Sequence, residues 1–265
     1  MKKTLFFALV FLLTAGALIA EDNTSVGFYM GSKPLGVEIK SSDAFEGPYG
    51  SILVSSPGVG KKGNKSIGTG FSYILQDNAK ICQVPISISY TFVDNLDFSL
   101  AIPILRMTGV KDGQLGFSDI FATAKYGFDL DEIKTAFSFG IAFPSGAERF
   151  TGNKNNVDLN FDLPIEKEFE NCIANIDFGY SVTDINETTK KHIVKAAGAL
   201  SRSLNKKVGG SLEMMYQDTK KYSSLIAGIG LKYNAKAGSY TIALAKDLHK
   251  RGVDFLFSLG FSKSF

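Results

Sequence analysis

The stretch SSPGVGKKGNKS, Ser55 to Ser66, is where the residue types first suggest chemistry. Glycines, lysines and a serine together are the material of a phosphate-binding loop. Such a loop reads G-x-x-x-x-G-K-[ST], follows a buried strand and opens a helix. Gly58 and Gly63 have the spacing, but Asn64 stands in the lysine slot and Lys65-Ser66 come one residue late. The following IGTGFSYIL has the pattern of a strand, so no helix N-terminus is there to hold an anion. The segment reads as a flexible periplasmic lead-in whose glycines permit tight turns.

Other catalytic material is sparse. His192 and His249 are the only histidines, and both sit among lysines. A nucleophilic site needs a nucleophile, a base and an orienting group within hydrogen-bond reach. No such constellation stands out, so no catalytic residue, metal site or cofactor is expected and the chain does not read as an enzyme. Its carboxylates are more informative. Asp97, Asp119, Asp158, Asp162, Asp177 and Glu213, with Lys125 and Lys195, all fall on the polar side of alternating segments.

Those segments dominate the chain. In GVDFLFSLGFSKSF, the residues Val253, Phe255, Phe257, Leu259, Phe261 and Phe265 alternate with mostly small, polar ones. Period-two alternation of this length is a strand with one greasy and one polar face. Twelve such segments run over about 67–76, 80–92, 95–106, 117–128, 133–143, 156–167, 173–183, 192–203, 207–217, 222–233, 237–246 and 252–264. Each has about 10–13 residues, where soluble strands average about 5–6. A tilted strand crossing a bilayer needs about 9–11.

Connections after even-numbered segments are short, as at 93–95, 129–132, 168–172, 204–206 and 234–236. Most of the others are longer, such as 107–116, 144–155 and 184–191. This asymmetry belongs to an outer-membrane barrel, with short turns toward the periplasm. In lipid every backbone polar group needs an internal partner, so such a sheet must close. The expectation is all-β: a transmembrane, antiparallel, up-and-down barrel of about twelve strands. Tyr90, Phe92, Tyr126, Phe128, Phe143, Tyr180 and Tyr233 lie near strand ends and suit an interfacial girdle.

The front of the chain sets the compartment. Lys2 and Lys3, the apolar run Leu5–Leu13 and the small residues Ala15, Gly16, Ala17 and Ala20 read as a signal peptide over 1–20. Removing the two lysines lowers the formal charge from +3 to +1, which gives no argument for a nucleic-acid partner. Residues 21–66 form a periplasmic extension or a partial plug, and 67–265 the barrel. Localisation in the bacterial outer membrane follows, with lipid and lipopolysaccharide as surroundings. Cys82 and Cys172 are expected at opposite ends of the wall and therefore unpaired.

Two resemblances add to this. Phe257, Leu259, Phe261 and Phe265 resemble the C-terminal signature read by the barrel assembly machinery, with Lys263 departing from it. GFSDIFATAKYGF (Gly116–Phe128) with its Gly116, Asp119, Lys125 and Tyr126, FPSG (Phe143–Gly146) and SPGVGKKGN (Ser56–Asn64) are similar to segments of an outer-membrane family. That family is described as transporters, or as the MetA pathway of phenol degradation. The resemblance implies passive passage of small solutes, with hydrophobic or aromatic compounds as the class. Two other readings stay open: a closed structural or surface-binding barrel, and a barrel enzyme. The inward charges would form a selectivity field or a paired, wet interior. Asp119 and Lys125 would bridge each other or touch a solute.

Overall fold

The computed structural model describes residues 52–76, 79–108, 114–146, 157–183, 191–219, 223–249 and 254–265. The signal peptide and most of the extension expected before residue 52 lie outside the described residues. Thirteen strands follow one another: β1 (Lys65–Gln76), β2 (Ala79–Val93), β3 (Leu96–Thr108), β4 (Gln114–Phe117), β5 (Ile120–Leu130), β6 (Ile133–Phe143) and β7 (Asp158–Glu168). They continue as β8 (Ile173–Thr183), β9 (Lys191–Ser203), β10 (Val208–Thr219), β11 (Ser223–Ala235), β12 (Gly238–Asp247) and β13 (Phe255–Ser264).

Apart from the short β4, which pairs only with β3, each strand pairs antiparallel with the next along the wall, β3 with β5 included, and β1 pairs with β13 over ten residues, from Ser66 opposite Ser264 to Leu75 opposite Phe255. Lys65 and Phe265 extend that seam through their backbones, Phe265 N to Lys65 O at 2.8 Å and Lys65 N to Phe265 O at 3.3 Å. The wall is thus a closed barrel of twelve strands, with the short β4 as a thirteenth piece. The fourth segment expected from the sequence is divided. β4 pairs with the far end of β3, Ser118 and Asp119 interrupt the pairing, and β5 resumes against Leu96–Ala101.

The short connections lie at one end, at 94–95, 131–132, 169–172, 204–207 and 236–237. Asn95 and Asp131 hold the left-handed backbone that tight turns need, at φ of 69° and 54°. Asn and Asp tolerate this region better than other residues with a Cβ. Gly238, at φ 146°, begins β12 where a Cβ would strike the Ser262 carbonyl and the Phe261 ring.

Alternation sorts the two faces. Ile88, Leu100, Phe137, Phe178, Leu212, Ile229 and Ile242 point outward and are exposed. Their opposite-parity neighbours, among them Ala101, Ser138, Asp177, Ala197, Ser211 and Ala243, are buried. An apolar belt all round the outside has no stable place in water and matches a bilayer core. Aromatic residues cluster on it near the short-turn end. Phe92 meets Tyr90 and Phe98 edge-on, and Tyr240 lies between Tyr233 and Phe261. Cys82 in β2 and Cys172 in the turn before β8 form no disulfide with each other.

The belt yields a test. Ile229→Arg, in the middle of β11, is expected to cost about 2–4 kcal/mol in vesicle-refolded protein, whereas Leu204→Arg, in a short turn, should cost about 0–1. Denaturant titrations of the two variants would check the difference.

Candidate functional site

The interior is not empty. Residues 52–60, part of the stretch expected to be a periplasmic extension or a partial plug, run inside the barrel. Ile52, Leu53, Val54 and Ser55 are buried, Leu53 at 4% and Val54 at 2% exposure. The segment touches strands all round the wall, which is possible only from within. Glu213 on β10 accepts from Ile52 N at 2.9 and 3.0 Å and from Leu53 N at 2.6 Å. Asp177 on β8 accepts from Ser55 N at 3.3 Å. Lys125 on β5 donates to the Ser56 carbonyl at 3.4 Å. Asp97 on β3 accepts from Gly60 N at 3.1 and 3.2 Å. At the short-turn rim Lys62 N reaches Asp94, and Gly63 N and Thr91 N tie the lead-in to β2.

Small inward residues make the room. A Cβ on Gly228 of β11 would sit 3.3 Å from Leu53 Cδ1. One on Gly127 of β5 would overlap Val59 at 2.5 Å. Ser211, Ala243, Ala245 and Ser258 extend this small-residue lining on neighbouring strands. A backbone threaded through a barrel must satisfy its own N–H groups there, and the wall carboxylates do so. Charge-assisted bonds of this kind are about twice as strong as neutral ones.

Beside the segment lies an ion triad. Lys195 Nζ on β9 is 2.6 Å from Asp177 Oδ2 and 3.4 Å from Asp162 Oδ1 on β7. To reach Asp162 it crosses over β8 at Gly179, where a Cβ would lie 2.8 Å from Asp162 Oδ1 and 2.9 Å from Lys195 Cε. The lysine side chain is 18% exposed, and the aspartates are 2% and 0%. Asp177 Oδ1 has no hydrogen-bond partner among the described residues.

The remaining sequence candidates sit elsewhere. Asp119 and Lys125 are six residues apart on one side of the wall, about 20 Å along an extended strand. They engage different groups, so the bridge considered between them does not form. Lys125 instead stands directly opposite Asp97 on β3. Asp119 Oδ1 accepts from Gly146 N at 2.9 Å, while Ser145 Oγ accepts from Ile120 N at 2.8 Å. The two motifs Gly116–Phe128 and Phe143–Gly146 therefore clasp each other at the outer end of β5 and β6. Asp158 opens β7 opposite Ala142, half-buried. His192 lies outside, its Nδ1 2.6 Å from the Tyr180 hydroxyl.

Two buried acids were not singled out from the sequence, although alternation places both inward. Glu166 on β7 accepts from Asn175 Nδ2 at 3.0 Å and lies 3.6 Å from Lys134 Nζ. Asp247 ends β12 and accepts from Leu225 N and His249 N. Between extension and plug the sequence left the choice open, because nothing in SSPGVG tells inside from outside.

No family model matches the chain, and no curated protein matches it in sequence. Solved structures do. An outer-membrane channel of the COG4313 group from Pseudomonas putida F1 superposes at TM-score 0.61 with 11% identity, over 78% of this chain and 97% of that one. The chain has the fold of an outer-membrane β-barrel. The KdgM porin, solved in complex with disordered oligogalacturonate, matches at 0.54 with 14% identity, over 76% of this chain and 99% of that one. The translocator domain of the autotransporter NalP from Neisseria meningitidis matches at 0.53 with 13% identity, over 78% of this chain and 90% of that one.

Lys195→Met would leave Asp162 and Asp177 facing each other without their shared cation. Removing one member of a buried ion group costs about 3–5 kcal/mol. The variant should lose about 3 kcal/mol in detergent-refolded protein, and Gly179→Val, which blocks the lysine's crossing, should lose part of that. Denaturant midpoints would read both.

Proposed function

We propose that this protein is an outer-membrane channel for passive passage of small solutes, held closed by its own residues 52–60. The observation that carries this is the threaded segment, whose backbone amides donate to Glu213, Asp177 and Asp97. Main-chain bonds to a few carboxylates can be exchanged for water or solute one at a time. A purely structural plug would be expected to share strand pairing with the wall. The fold shared with channel and porin barrels supports the reading. The family resemblance adds hydrophobic or aromatic compounds as a solute class. The lipid-facing belt and aromatic girdle support residence in the outer membrane, amid lipid and lipopolysaccharide. Asp97, Asp119, Lys125, Asp158, Asp162, Asp177, Lys195 and Glu213 are the proposed lumen-lining set, with Asp119 serving as the clasp between loops.

Leu53→Glu places a carboxylate beside that of Glu213 and should drive the segment off the wall. Planar-bilayer conductance of the variant is expected to rise severalfold over the unaltered protein. Equal, negligible current in both would shift the reading to a closed structural barrel.

Phe257, Leu259 and Phe261 face outward on the closing strand, and Phe265 completes its seam with Lys65. We propose these four as the barrel-assembly signal. Deleting Phe265 should lower the folded, membrane-inserted fraction in cells, read as heat-modifiable mobility on gels, while the purified chain still refolds in detergent.

A further inference from the structure

The charges lining the wall have one dominant sign. Among the described residues, Asp97, Asp162, Glu166, Asp177, Glu213 and Asp247 are acidic, inward by strand parity and at least half-buried. The described lysines that meet the same test are fewer, Lys125, Lys195 and Lys232. Lys134 reaches Glu166 from a half-exposed position at the short-turn end. Lys195 is shared between two aspartates, so that group alone retains a negative charge. Glu213 accepts from the N–H groups of Ile52 and Leu53 and from the Ser211 hydroxyl at 3.5 Å, donors that carry only partial positive charge. Asp97 likewise takes the amide of Gly60, with Lys125 opposite it on β5.

The plug therefore marks what the wall binds. Its N–H groups occupy the positions where a solute's donors would sit, and they bring no full positive charge to the carboxylates. Asp177 Oδ1, fully buried and without a partner among the described residues, is an acceptor that the segment leaves unused. A small ammonium or metal cation carries more charge to the same oxygens in a low-dielectric tube, where fields are focused. A polyanion meets repulsion over the same path.

Resting on the channel reading above, we propose that the lumen selects small cations, amine-bearing solutes included, and that Glu213 and Asp177 set this preference. The KdgM structure was solved with an oligogalacturonate, a polyanion, a class of solute that the acidic wall proposed here would repel.

The experiment is the reversal potential of the refolded full chain in a KCl gradient. Leu53→Gly/Val54→Gly loosens the segment without adding charge, and serves as the open form. Its current should favour K⁺ over Cl⁻ by about fivefold or more. Adding Glu213→Gln and Asp177→Asn should bring that ratio close to one while current persists. Should the double-glycine form refold poorly, Val54→Ser in the full chain supplies a milder opening for the same ratio. Current with a preference for Cl⁻, or a K⁺ preference untouched by the two amides, overturns the cation proposal and leaves the channel standing. Silence in every folded variant overturns the channel reading and this proposal with it.

Discussion

Everything in this molecule depends on the seam between β1 and β13. A backbone N–H or C=O left unpaired in hydrocarbon costs several kcal/mol, so an open edge of this length cannot stand in a bilayer. Ten paired residues, extended by Lys65 and Phe265, remove both edges at once. Closure then forces the two faces of every strand to differ. Outward positions take Ile, Leu, Phe and Tyr because they meet lipid tails. Inward positions take Ala, Gly, Ser and acids because the circumference leaves limited space and some water.

That limited space decides how the interior is filled. A twelve-stranded barrel is wider than one its own side chains fill and narrower than an open porin. Here nine residues of the chain's own backbone occupy the room that the small side chains leave. An extended segment brings unpaired N–H groups with it, and the wall answers with carboxylates at three heights. Burying those acids without partners would be prohibitive. Segment and wall are in this sense one structure: the acids hold the amides, and the amides keep the acids from being stranded. Such an arrangement holds the segment through side-chain acceptors on several strands.

The motif residues that resemble a transporter family gain a physical meaning. Asp119 and Ser145 bond the backbones of Gly146 and Ile120 across the outer ends of β5 and β6. Their work is to end the pairing and turn the chain, where β4 leaves the wall's regular register. The same fold serves channels, a porin and an autotransporter translocator, so architecture alone names no solute. What separates such barrels is the charge and contents of the lumen, and here these are an acidic wall and a threaded segment.

Much of the fold was legible in the sequence because lipid imposes a local rule. Each strand must be long and must alternate, and each turn at one end must be short. Segments such as Leu96–Ile104 and Phe255–Phe265 display that rule residue by residue. Alternation also placed Asp177, Lys195 and Glu213 on the inner face without any knowledge of their partners. What alternation lacks is information across the barrel. Nothing local says that Lys195 passes over Gly179 to Asp162, that Asp119 clasps Gly146 instead of meeting Lys125, or that Glu213 binds amides 160 residues away in sequence. Residues 52–60, which the sequence left open as extension or partial plug, lie within because closure creates a cavity lined with acceptors that their N–H groups can satisfy. One-dimensional pattern determined the wall; only the closed wall decided what stands inside it.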